Sequence, residues 1–444
     1  MAGGRPNESH LAAWEETMTL DRDKNVLTDL SVVQVEQDLA GDRLDDPAAA
    51  AREALLASGL VGRVKRGASI CIGAGSRGIA NMPAILRATA AVVRELGGEP
   101  FFIPAMGSHG GATAAGQKAL LKDLDITEET VGAPIRATTD VVQIGDTPSG
   151  LPAYMDRYAA EADGIIAVNR VKSHTDHRGD TESGLCKMLA IGFGKQRMAS
   201  LIHPYGAAGL RDHIPQVAQA MLEGRPVLVG LAIIENAHAE TAEIHAVEPD
   251  GWRETEKRLL KRAKELTASL PFDEIDVLVL RWIGKEISGT CLDLNVVARI
   301  GMEGVEEPPR PRIKVLCALD LTEASHGNAV GLGLCDLTTK RLADKIDFQA
   351  MYTNSITATF FNRCKLPMVL PTDQRLFEVA VGCLDDRRRA RPRLCIARDT
   401  LHLERMWVSE VLAEEARAMP NLRVVSEPRP LAFDAVGNLA VDGQ

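Results

Sequence analysis

The chain has 444 residues, 45% of them hydrophobic, 25% charged and 4% aromatic, with a net charge of −10. That length provides for two domains and a sizeable core. Ala, Leu, Val and Ile supply the apolar share, which favours α/β over an all-β sandwich. The acidic balance argues against a nucleic-acid partner, because neutralising phosphates takes a basic face. The one dense basic run, "DDRRRARPR" at 385–393, is balanced by its own acids and reads as a solvated loop.

No stretch reaches the roughly 20 apolar residues that cross a bilayer, so no membrane partner is expected. The first residues, "MAGGRPNESHLAAWEETMTLDRDKN", have no apolar signal core, and the chain reads as cytoplasmic. The 8 cysteines form no CxxC pair, which removes zinc-ribbon and thioredoxin readings. Several sit in apolar runs as small hydrophobes, a usage that fits a reducing compartment.

Residues 1–45 are polar and read as an N-terminal extension. From there "DPAAAAREALLASG" is a helix, with Asp46 as cap, Pro47 in its first turn and Gly59 near its end. "ASICIGAG" is a short buried strand. Met82, Ile85, Leu86, Thr89, Val92, Val93 and Leu96 then recur at helical spacing. "PFFIPAM" is a second strand, "GSHGGAT" a glycine-rich turn and "AAGQKALLKDL" a helix. Strand, polar turn and helix repeated in succession predict a parallel sheet. "DVVQIG" reads as a strand, "YMDRYAAEA" as a helix and "DGIIAVNRV" as a strand. "RPVLVGLAIIENA" and a charged helix at 252–268 complete an N-terminal α/β domain over 46–270. "FDEIDVLVLRWIG", "RIKVLCALDL" and "RPRLCIARDT" are strands of a second α/β domain over 271–444. The expected fold class is therefore two α/β domains, with the active site in the cleft between them.

Functional loops of open α/β sheets gather outside the carboxyl ends of the strands. Three polar turns qualify: Ser76-Arg77, Ser108-His109 and the run Lys172–His177. His109 stands among glycines, where a ligand can approach closely. His174 occupies the equivalent place after a later strand, and imidazoles exchange protons near neutral pH. Lys187 is a lone cation in the apolar stretch Leu185–Phe193; a desolvated lysine becomes a nucleophile. His203, in "SLIHPYGA", is a candidate metal ligand.

Taken in order, "GSRG", "GSHGG", "NRVKSHTD", "ESGLCKM", "GFGK" and "SLIH" resemble the nickel-pincer racemase superfamily, the lactate racemase-like enzymes, in a divergent branch. The resemblance is clearest over about 70–240. It implies a racemase or epimerase of a 2-hydroxy acid, and a nickel-pincer nucleotide (nickel pyridinium-3,5-bisthiocarboxylic acid mononucleotide) as cofactor. By motif position, Lys187 would tether the cofactor, Ser76 would contact it and His203 would ligate nickel. His109 and His174 would be the two bases, and Arg77 would bind the substrate. The family's second-domain Gln and Lys contacts have no clear counterpart, and Lys285 is the substitute candidate for substrate binding. The implied partners are a small hydroxy acid and the cofactor-biosynthesis proteins that load the enzyme.

The stretch "DHRGDTESG" departs from the family's glycine-rich run, which leaves His177 as an alternative to His174 and points to a substrate larger or more polar than lactate. Two other readings stand beside this one. One is a mononuclear metal-dependent hydrolase or lyase using His109, His174 and His203; the other is a cofactor-free binding protein of the same fold.

Overall fold

The computed structural model describes residues 26–39, 41–76, 78–175, 177–302, 305–358 and 360–441. The chain divides into two compact α/β units. One holds Ser269–Met302 and Glu306–Gln444 together with the chain up to Leu39; the other is Ala40–Ala268. Among the described residues no helix is long and apolar enough to cross a membrane.

The first strand, β1 (Ser31–Gln37), lies within the stretch read as an extension. That reading needs correcting. Val32, Val33 and Val35 are buried, and β1 pairs antiparallel with residues 405–409, so this segment is a strand of a sheet.

The unit that carries most of the candidate residues is built on a five-stranded sheet. Its strands are β2 (Ser69–Ala74), β3 (Glu99–Pro104), β6 (Gly164–Arg170), β7 (Val227–Glu235) and β8 (Thr241–Val247), in the order β3-β2-β6-β7-β8. The first four are parallel and β8 closes the edge antiparallel. Inward residues alternate between two cores. Ile72, Phe102 and Ile166 face the side covered by α1 (Pro47–Ala57) and α2 (Met82–Glu95). Cys71, Phe101 and Ile165 face the other side. A sheet covered on both faces explains why its strands read as continuous apolar runs.

Asp46 caps α1, its side chain accepting from Ala49 N at 2.9 Å, and Pro47 opens the helix. α2 buries Met82, Ile85, Leu86, Thr89, Val92 and Val93, the face its spacing predicts. α3 (Ala114–Asp123) follows the glycine-rich turn.

"DVVQIG" is a strand, but outside the main sheet. β4 (Val141–Asp146) pairs antiparallel with β5 (Pro152–Asp156) in a separate ribbon. "YMDRYAAEA" is therefore not one helix. It divides at Asp156, which ends β5 and caps the single turn Arg157–Ala160 by accepting from Tyr158 N at 2.9 Å. Buried Ala153 and Met155 flank half-buried Tyr154, a period of two that a helix cannot use.

After β6 come the short helix Leu185–Lys187, a buried π-helix Met188–Phe193, α4 (Lys195–Ile202) and α5 (Gly206–Gly224). α6 (Trp252–Leu266) closes the unit.

The other unit holds, among the described residues, a nine-stranded sheet. β9 (Glu274–Ile283), β10 (Arg312–Leu321), β11 (Leu337–Thr339), β12 (Met368–Leu370) and β13 (Leu394–Ala397) are its parallel part. β14 (Arg405–Ser409), β15 (Leu422–Val424) and β16 (Arg429–Pro430) join antiparallel around β1.

Candidate active site

β2 lies between β3 and β6, and all three are parallel, so their carboxyl ends open on the same edge of the sheet. The three polar turns leave from that edge. Two of them touch: Ser76 Oγ and His109 Nδ1 are 2.6 Å apart. His109 itself is exposed and Ser76 half-buried. Arg77 lies outside the described residues.

The turn that carries His109 is packed tightly onto α3. Gly110 has φ +63°, and a β-carbon there would meet the backbone of Gly116 and Gln117 at 2.6 Å. Only glycine fits such an approach. Gln117, buried on α3, donates through Nε2 to the carbonyls of Gly107 (2.9 Å) and His109 (3.3 Å). Its Oε1 accepts from Lys195 Nζ at 2.6 Å, and the same ammonium donates to the Pro104 carbonyl at 2.7 Å. Asp156 Oδ2 stands 3.4 Å from Lys195 Nζ. Burial pushes Lys195 down and Asp156 up, and each group's charge opposes the shift in the other.

The turn after β6 is a closed loop. Lys172 and Ser183 exchange backbone hydrogen bonds at 2.8 and 3.1 Å. Inside it the buried Glu182 accepts from His174 N (2.7 Å) and from Lys264 Nζ (2.7 Å). Arg178 Nη1 donates to the carbonyls of His174 (2.6 Å) and His177 (3.0 Å). Glu182 and Arg178 thus hold the loop in shape, which accounts for much of the charge density in "SHTDHRGDTESGLCKM". His174 and His177 are both buried, their rings 4.5 Å apart.

The loop ends on Lys187, whose Nζ is in hydrogen-bond contact with His174 Nε2. Burial drives His174 well below its ordinary value, and the Lys187 charge lowers it further. The ring is therefore neutral near pH 7, and its Nε2 accepts from the ammonium. Beneath the start of the Lys187 helix lies Glu256 of α6, which accepts from Cys186 N at 2.7 Å. Burial raises this carboxyl to about 7.

His203 is half-buried at the start of the single turn His203–Tyr205. The Lys187 helix and the His203 turn both pack on α5. Among the described residues no group of three or more His, Cys, Asp or Glu is placed to hold a metal ion. Lys285 belongs to the other unit, where its Nζ donates to the Gly289 carbonyl (2.5 Å) and to Asn354 Oδ1 (2.8 Å).

Sequence reasoning passed over Gln117, Lys195, Asp156 and Glu256. For Lys195 the sequence offers only "GFGK" at the end of an apolar run, which does not single it out from Lys187. The buried role of Glu256 is masked by the surrounding charges of α6.

Among the candidate residues the structure thus brings together Ser76 with His109, and His174 with His177 and Lys187, in segments that follow the carboxyl ends of three parallel strands of an α/β sheet. Residues 79–177, which include the His109 turn and β6, match the family described as lactate racemase N-terminal domain. Over that segment the chain is lactate racemase-like, and the match supports a racemase-related function. No curated protein matches the chain. Among solved structures it is similar to the lactate racemase apoprotein from Thermoanaerobacterium thermosaccharolyticum, at 12% identity over 83% of this chain and 98% of that one, with a TM-score of 0.49. A protein from Thermotoga maritima is similar at 13% identity over 62% of this chain and 71% of that one, with a TM-score of 0.43.

Proposed function

We propose that the protein is a racemase or epimerase of a 2-hydroxy acid, lactate-like or larger and more polar, that works with a lysine-tethered nickel-pincer nucleotide. The observation that carries this reading is the contact of Lys187 Nζ with the neutral Nε2 of His174 at the foot of β6. The match of residues 79–177 to the lactate racemase N-terminal domain supports it.

The donor set fits the cofactor. A covalent tether needs an amine beside a group that can accept its proton, and the contact supplies both. A metal that arrives with sulfur and carbon donors of its own asks the protein for one further ligand, and His203 is a suitable nitrogen donor. Lys187 and His203 would hold the group, with Ser76 at the turn beside it. When bound, it supplies a reversible acceptor for the hydrogen that leaves the substrate carbon with its electron pair.

The protein's own work is proton transfer and orientation. Loss of the hydroxyl proton together with that hydrogen turns a 2-hydroxy acid into a 2-keto acid, and return to the opposite face inverts the centre. Either enantiomer can enter, so a base is needed on each side; His109 and His174 are assigned those roles. Ser76 Oγ orients the His109 ring through Nδ1. Arg77 is assigned the substrate carboxylate, which a guanidinium grips with two parallel hydrogen bonds. The proteins that synthesise the cofactor would be needed for loading.

The test is chiral chromatography of single-enantiomer 2-hydroxy acids, deuterated at carbon 2, after incubation with loaded protein. Racemisation with the label retained is expected. Loss of the label to solvent, or no racemisation across the panel, would overturn the reading.

A further inference from the structure

Lys195 is, among the described residues, the one lysine that is fully buried, at 2% exposure, and neither the tether nor the bases account for it. Its backbone lies at φ +56°, a left-handed conformation that residues with a β-carbon rarely adopt. A glycine would take that conformation without strain but would bring no ammonium. Strain of this kind persists where surrounding structure over-determines the residue.

The surroundings indicate what the ammonium is held for. It can only donate, so the oxygen of the Gln117 amide must face it. The nitrogen of that amide is thereby turned toward the carbonyls of Gly107 and His109. The Pro104 carbonyl, which ends β3, accepts a second bond from the same ammonium. One buried charge therefore fixes both the start of the turn and, through Gln117, its tip.

We propose that Lys195 is a positioning residue for His109, acting through the enforced orientation of the Gln117 amide. The proposal rests on the assignment of His109 as a base only for its effect on turnover; the effect on the turn itself is independent of that assignment.

Two variants separate positioning from packing. Gln117→Glu keeps an acceptor for Lys195 but sets an oxygen against the two carbonyls. Lys195→Met combined with Asp156→Asn removes both buried charges together, so that neither is left unpaired. Measured on the full chain are thermal unfolding, amide hydrogen exchange at 107–111, histidine-selective NMR of His109 and, with loaded protein, kcat and KM.

Exchange in the turn should rise by about tenfold or more in both variants, as loss of a buried hydrogen bond implies. The His109 ring resonances should shift, and kcat should fall by about tenfold with KM changed less than about twofold. Folded variants with wild-type exchange and wild-type His109 resonances would overturn the proposal. If the paired variant does not fold, Gln117→Glu alone decides by the same criteria. If the wild-type protein racemises nothing, the functional reading falls, while exchange and resonances still decide whether Lys195 positions the turn.

Discussion

Lys187 Nζ rests against Nε2 of His174, thirteen residues earlier in the chain, because the loop between them closes on itself through Lys172 and Ser183. The contact couples the proposed tether to a proposed base. An ammonium beside an imidazole disfavours its protonation, so the Lys187 charge adds to burial in lowering His174. Linking the amine covalently would remove that charge.

Lys187→Met should therefore move the His174 titration midpoint upward, followed by imidazole NMR on unloaded protein. Burial still acts, so the midpoint should remain below that of an exposed histidine. A midpoint that stays put would mean that the two groups do not interact as their geometry indicates.

Glu256 gives a stability prediction of definite sign. Its carboxyl rises from an ordinary 4.5 to about 7, so the folded state binds the proton more tightly than the unfolded state. The stabilisation is fully present below pH 4.5 and is lost as pH rises through about 7; it amounts to on the order of 3 kcal/mol. His174, depressed, acts in the opposite sense and is unchanged between wild type and a Glu256 variant. Glu256→Gln should therefore gain stability relative to wild type as pH rises from 5 to 8, read as Tm. Parallel Tm curves would contradict the assignment.

Gly116 lies inside α3, where glycine-to-alanine ordinarily stabilises by about 0.5–1 kcal/mol. Here a β-carbon would stand 2.0 Å from the Gly110 carbonyl oxygen. Gly116→Ala should instead destabilise by about 1–3 kcal/mol and disturb the His109 turn. Chemical denaturation gives the sign, and stabilisation would show that the turn does not pack on the helix as described.

Ser76→Ala removes the Nδ1 partner of His109. In loaded protein kcat should fall by about tenfold, in keeping with the loss of one orienting hydrogen bond, while KM changes little. His109→Ala and His174→Ala should each reduce kcat by about 10²–10⁴-fold, the usual contribution of a general base. Steady-state kinetics with each enantiomer separately reads both effects, and a variant with wild-type kcat would remove that residue from its role.

Much of the N-terminal unit was legible because its strands are buried on both faces and end in polar turns. "SICIGA", "PFFIP" and "GIIAVNR" therefore stand out as apolar blocks, and their order foretells parallel pairing. The β4–β5 ribbon was not legible as such, since the single turn at Arg157–Ala160 lends helical character to a segment whose first half alternates. β1 was hidden because its partner lies hundreds of residues away in sequence, at Arg405–Ser409.

The site divides the same way. Which turns carry the histidines could be read from glycine and strand ends. Which lysine is buried could not. The apolar run Leu185–Phe193 suggests that Lys187 must be desolvated, yet Lys187 is half-buried and Lys195 is the one enclosed. The difference is set by a β-strand end, a helix amide and a carboxylate drawn from three separate parts of the chain.

The most direct test of the central claim is intact-protein mass spectrometry with nickel analysis, on wild type and Lys187→Met made in cells that synthesise the nickel-pincer nucleotide. The account predicts a mass adduct and bound nickel in the wild type, with the adduct absent from the variant. Unmodified, nickel-free wild-type protein, from cells that load a lactate racemase in parallel, would contradict it.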